Sequence, residues 1–164
     1  MTSELPRVVV DTCIIVDFLT GEDEHRQRNA RWVLEQDGAR HRVVLPAIVL
    51  AEVPGTGVFN GDHGGLEARR ERVELVQRWV LDSGYWIADL TERLARQAAK
   101  LTSEHKIKGP DATVLATALS WGCAALYTRD NNPLKINGAV SGLKITEGPD
   151  PPQPEPDLFT SSTA

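Results

Sequence analysis

The chain carries short apolar runs rich in β-branched residues that show no alternation with polar ones. Arg7-Val8-Val9-Val10 is the clearest run, and Arg42-Val43-Val44-Leu45 repeats it. A strand with one wetted face alternates apolar and polar residues. A run without alternation belongs in a sheet covered on both faces, the usual setting of parallel strands. Residues 85–88, 124–128 and 143–146 read as further strands. Between the strands, residues 13–19, 22–37, 47–53, 66–81, about 91–105 and 111–121 read as helices. Strands alternating with helices across short turns predict an α/β fold, a parallel sheet with helices on both faces. With 164 residues and 41% apolar composition, one such domain can bury a real core.

Several segments mark boundaries. Pro54 is expected to end its helix at Val53, and residues 55–65, with five glycines, read as a flexible stretch. Helix 66–81 is expected to bury a stripe of Leu66, Val73, Val76, Val80 and Leu81. From Gly148 the chain runs Gly-Pro-Asp-Pro-Pro-Gln-Pro-Glu-Pro, which suits no packed element. Residues 1–147 are therefore expected to form the domain, and 148–164 a disordered, acidic, Pro-rich tail. The longest apolar stretch, residues 8–19, is too short to span a membrane and contains Asp11 and Asp17. Without a basic region or a small-residue cleavage site around it, it does not read as a signal peptide. Cys13 and Cys123, both in apolar context, read as buried free thiols of a reducing cytoplasm.

Four acids stand at the edges of apolar segments: Asp11 after 7–10, Glu52 after 47–51, Asp111 at the head of an Ala-rich helix, and Asp130 after 124–128. An ion beside a core-forming segment is costly unless something pairs with it. In an open parallel sheet, strand C-termini and helix N-termini share one rim, where ligands bind. Four carboxylates gathered there would suit Mg²⁺ or Mn²⁺, hard ions that take oxygen ligands. That chemistry is phosphodiester cleavage, and a ribonuclease is the expected form of it. Asp11 and Asp111 could also serve as helix caps, and the two roles are compatible. Other catalytic signatures are missing: there is no Gly-x-Ser-x-Gly, no His-Glu-x-x-His, and the 55–61 glycines lack a Lys-Ser/Thr ending. The formal net charge is −5, so nucleic acid would be held locally rather than on a broad basic face. Lys106 and Lys108, just before Asp111, are the candidates for that contact. His25, His41, His63 and His105 follow no ligand spacing and are expected at the surface, as is the Arg69, Arg70, Arg72 face. The tryptophans are expected in the core.

Four pieces, in this order, resemble the PIN domain family and, within it, the VapC-type toxin ribonucleases of bacterial toxin–antitoxin pairs. They are residues 9–19 (Val-Val-Asp-Thr-Cys-Ile-Ile-Val-Asp-Phe-Leu), Leu50-Ala51-Glu52-Val53, residues 110–119 (Pro-Asp-Ala-Thr-Val-Leu-Ala-Thr-Ala-Leu) and Leu126-Tyr127-Thr128-Arg129-Asp130. The resemblance implies a three-layer α/β/α sandwich with a central parallel sheet. It implies a catalytic Mg²⁺ or Mn²⁺ site of Asp11, Glu52, Asp111 and Asp130, supported by Thr12 and Thr128. It further implies an endoribonuclease acting on structured RNA such as tRNA or rRNA, a cognate antitoxin as partner, and a homodimer. Three positions depart from the pattern: Cys13 where Ser or Asn is common, Pro54 close behind Glu52, and Asn131-Asn132 where many relatives have a further acid. A stand-alone PIN nuclease in RNA processing, and a catalytically degenerate binding module, stay open beside the toxin reading.

Overall fold

The computed structural model describes residues 4–153. Five parallel strands form its sheet: β1 (Arg7–Val10), β2 (Arg42–Pro46), β3 (Trp86–Ala88), β4 (Ala125–Tyr127) and β5 (Lys144–Thr146). Their spatial order is β3-β2-β1-β4-β5, so the chain winds outward from β1 in one direction and then, at β4, in the other. Val9 stands against Val44 on one side and Leu126 on the other, and Leu126 in turn against Ile145. Alternate strand residues feed two separate cores. Val9, Val44 and Leu126 pack under α6 (Glu92–His105) and α7 (Gly109–Ser120). Val8, Val10, Val43 and Leu45 pack under α1 (Thr12–Thr20), α2 (Glu24–Glu35), α3 (Ala47–Gly55) and α5 (Gly65–Ser83). Burial on both faces is why these strands read as unbroken apolar runs. The α/β/α sandwich is thus the observed architecture.

Local chemistry sets the element ends. Asp11 caps α1 by accepting from the Thr12 N–H at 2.7 Å, and Gly21, at φ 64°, ends it. Asp23 caps α2 and Thr91 caps α6 in the same way. Pro54 does not stop α3 at Val53; the helix runs to Gly55 with the proline in its last turn. A proline that close to the end removes one helical hydrogen bond, and Thr56 closes the turn through its own N–H and hydroxyl on the Val53 carbonyl. The glycine-rich stretch is also more ordered than its composition predicts. It contains α4 (Gly57–Asn60), and Arg72 donates to the carbonyls of Phe59, Gly61 and His63 at 2.7, 3.1 and 3.1 Å. Arg69 pairs with Asp62, so Arg69 and Arg72 serve the loop, while Arg70 is exposed beside Glu67 of its own helix.

Three further expectations need correction. Leu66 and Leu81 leave the predicted stripe, at 55% and 81% exposed, because α5 is buried against the layer beneath it at Val76 and Val80, near the middle of the helix, and not at its ends. His41 is buried, its Nε2 bonded to the Val33 carbonyl at 2.8 Å, and not at the surface. The segment after Thr146 starts out docked: Asn29 donates to the carbonyls of Gly148 and Pro149 at 3.2 and 2.8 Å. The rest of the expected tail, residues 154–164, lies outside the described residues. The tryptophans lie half-buried, with Trp79 against Phe18 and Tyr85, and Trp86 against Trp121.

Candidate active site

The reversal of winding lies between β1 and β4, whose C-terminal ends therefore part company in two directions. That notch is where an open parallel sheet receives a ligand. Asp11 follows β1 and Asp130 follows β4 as the cap of α8 (Asn131–Lys135), accepting from the Asn132 N–H at 2.8 Å. Glu52 comes from α3, which follows β2, and Asp111 from the first turn of α7. The four acids, from four elements, line one cavity of about 550 Å³ together with Thr12, Cys13, Val16, Gly55 and Thr56. The sequence reading gave Asp111 as a possible cap; it is instead the third residue of its helix, with Lys108 in the capping position and Pro110 in the first turn.

Hydroxyls hold two of the acids. Thr128 donates to Asp11 Oδ2 at 2.7 Å and accepts from the Asp130 N–H at 3.0 Å. Thr12 donates to Glu52 Oε2 at 2.6 Å, so the helix that Pro54 interrupts still presents a fixed carboxylate. Burial raises the Asp11 carboxyl above its ordinary range; the hydrogen bonds from Thr128 and Thr12 oppose this, and the charges of Glu52 and Asp130 add to it. Asp111 is pushed up to about 6, first by burial, then by the charges of Asp130, Asp11 and Glu52, with Lys108 acting against them. One Asp111 oxygen, Oδ2, is buried with no hydrogen-bond partner. Clustered negative charge beside an unpartnered acceptor is costly, and an opposite charge would relieve it.

The donor set fits a hard divalent ion in part. Four carboxylates are the correct ligand type. Among the described residues, however, no three His, Cys, Asp or Glu stand grouped as a ready-made metal cage. Mg²⁺ does not require one, because it keeps several waters and commonly takes only one or two carboxylates directly.

Sequence reasoning passed over a second group beside the cavity. The Arg129 side chain is almost fully buried and pairs with Asp17. It also donates to the Arg26 carbonyl at 3.2 Å, Asn29 Oδ1 at 3.1 Å and the Glu147 carbonyl at 3.3 Å. Its backbone N–H meets Cys13 Sγ at 3.1 Å. This clasp fixes α1 and α2 to the chain between Thr128 and Asp130. An arginine beside a candidate ligand, with an unassigned aspartate on α1, was the available signal. Cys13 and Cys123 are both free thiols. Burial pushes Cys13 up to about 12, so in this position it accepts a hydrogen bond and is not a thiolate. Lys106 and Lys108 are exposed on the link from α6 to α7.

Among the described residues, no helix is long and apolar enough to cross a membrane. Compared with curated protein sequences, the chain has no match. Solved structures do resemble it. A toxin–antitoxin complex from Klebsiella pneumoniae is 25% identical, with a TM-score of 0.58, over 83% of this chain and 94% of that one. Mycobacterium tuberculosis VapC20, a sarcin–ricin loop cleaving toxin, is 20% identical, with a TM-score of 0.59, over 76% and 90%. FitAcB from Neisseria gonorrhoeae is 24% identical, with a TM-score of 0.56, over 76% and 88%. The family model of the PIN domain matches residues 8–138, which hold all but the first residue of β1, the whole of β2, β3 and β4, and all four cavity acids. The chain belongs to the PIN domain family.

Proposed function

We propose that this chain is an Mg²⁺- or Mn²⁺-dependent endoribonuclease, the toxin of a toxin–antitoxin pair, cutting structured RNA such as a tRNA or rRNA. The observation that carries the reading is the buried, unpartnered Asp111 oxygen in a cavity that three more acids line. Asp11 and Asp111 would hold the ion directly, and Glu52 and Asp130 directly or through water. When bound, such an ion polarises a phosphate and makes water a better nucleophile. The remaining work falls to the chain. Thr128 keeps Asp11 oriented and favours its charged form against burial, and Thr12 fixes Glu52, which would accept the proton of an attacking water. Lys106 and Lys108 would hold phosphates flanking the cut.

The Klebsiella pneumoniae complex and VapC20 support the toxin reading and an antitoxin partner, which would act by covering the acidic notch. Leu66 and Leu81, exposed on the same side of α5, are the residues through which a homodimer would close.

Purified protein incubated with total bacterial RNA, with fragment ends sequenced, tests the activity. Discrete cuts should require Mg²⁺ or Mn²⁺ and vanish with EDTA or with Asp11→Asn. No cuts, together with no heat of Mn²⁺ binding, would leave a PIN fold that acts as a binding module.

A further inference from the structure

We infer that the exposed face of α6 and the turn after it form a docking track for the RNA backbone, leading away from the acid-lined cavity. The inference rests on RNA being the substrate. Between residues 93 and 108 the chain carries five Lys or Arg and one acid, Glu104, in a protein of net charge −5. Arg93, Arg96, Gln97 and Lys100 share one helical face, opposite the buried Leu94, Ala98 and Leu101. With Glu92 they line an open groove of about 480 Å³. Glu92 occupies Arg96 at 2.6 Å. Among the described residues, Arg93, Lys100, Lys106 and Lys108 have no carboxylate partner.

The track connects to the chemistry through the chain itself. Lys106 ends α6 at φ 53°, Lys108 caps α7, and Asp111 follows three residues later. Lys108 is near enough to favour the charged form of Asp111. From Arg93 to Lys106 the helix extends about 20 Å, so the track would serve several nucleotides beside the cut rather than the scissile phosphate. The stretch holds no Phe, Tyr or Trp on which bases could stack, so its contacts are to phosphate and carry no sequence preference. A polyanion must be held near a notch that repels it, and these unpaired cations supply the attraction.

Anisotropy of a labelled RNA hairpin in EDTA, across a salt series, separates docking from cutting. The double variant Arg93→Gln/Lys100→Gln should weaken binding about tenfold or more and lower the slope of log K against log [salt] by about 1.5. Glu92→Gln, which releases Arg96, should tighten binding and raise the slope by about 0.8. Arg28→Gln/Arg31→Gln on α2 should change neither. Unchanged binding in the first variant, or equal weakening in the α2 control, overturns the track. So does a wild-type protein that binds polyglutamate but not RNA, which would assign the face to an acidic protein. Intact cutting with unchanged binding removes the track and leaves the nuclease standing. The expected slopes in a chain that never cuts remove the nuclease and leave the docking face.

Discussion

Asp11 does two jobs with its two oxygens: one caps α1 through the Thr12 N–H, and the other takes the Thr128 hydroxyl and faces the cavity. Thr128→Val keeps the shape, leaves that oxygen short of a donor and leaves the Asp130 N–H short of an acceptor. It should cost on the order of 2 kcal/mol in urea denaturation. It should also weaken Mn²⁺ binding roughly 10–100-fold by calorimetry, the usual cost of losing a group that orients a ligand. Unchanged Mn²⁺ affinity would strip Thr128 of its positioning role. Asp111 behaves differently. Its folded-state carboxyl titrates at about 6, against an ordinary 3.8, so the metal-free protein is strained wherever that group is charged. The stabilising effect of keeping it protonated is complete below pH 3.8 and lost as pH rises through 6. Asp111→Asn should therefore raise the metal-free melting temperature at pH 8, and the gain should shrink toward pH 4. A gain that grew on acidification would refute this sign.

Among the elements, the Arg129 clasp is the joint between α1, α2 and the end of β4. Arg129→Met should cost about 2 kcal/mol or more by leaving the half-buried Asp17 without its partner. Adding Asp17→Leu should recover much of that loss, a coupling read from a double-mutant cycle. Additive losses would show the pair to be incidental. The clasp also marks where the sequence stopped being legible. The strands could be read because burial on both faces writes itself as unbroken Val runs, and the meeting of the four acids at one cavity could be read because each stands at the edge of an apolar segment. Arg129 and Asp17 could not, because an ion pair 112 residues apart leaves no periodic trace in either segment. The exposed Leu66 and Leu81 misled for a related reason. A helix advertises its apolar stripe, but only the layer beneath decides how much of the stripe is covered. His41 was misplaced likewise, since its partner is a backbone carbonyl, which no side-chain pattern reveals.

In the whole molecule, the strand order makes the notch unavoidable: two neighbouring strands must send their chains apart, and a gap opens between them. Charge substitutions within it should leave the fold intact. Mn²⁺ at 100 times its Kd should stabilise the wild-type protein by about 2.7 kcal/mol in thermal melts. Asp11→Asn/Asp111→Asn should show no such rise, and an equal rise would move the ion elsewhere. If the exposed leucines on one side of α5 join two copies, Leu66→Glu/Leu81→Glu should yield a monomer by light scattering, with unchanged helicity. The four carboxylates facing one cavity have a last consequence, for how two ligands meet there. Bare, the notch is a barrier to phosphate, and a cation held in it lowers that barrier. If the proposed ion and RNA both bind there, linkage makes the effect mutual: whatever factor the ion adds to RNA affinity, RNA returns to the ion. The dissociation constant measured on the lone protein is then an upper bound, and scarce cation would be recruited only by chains that already hold their substrate.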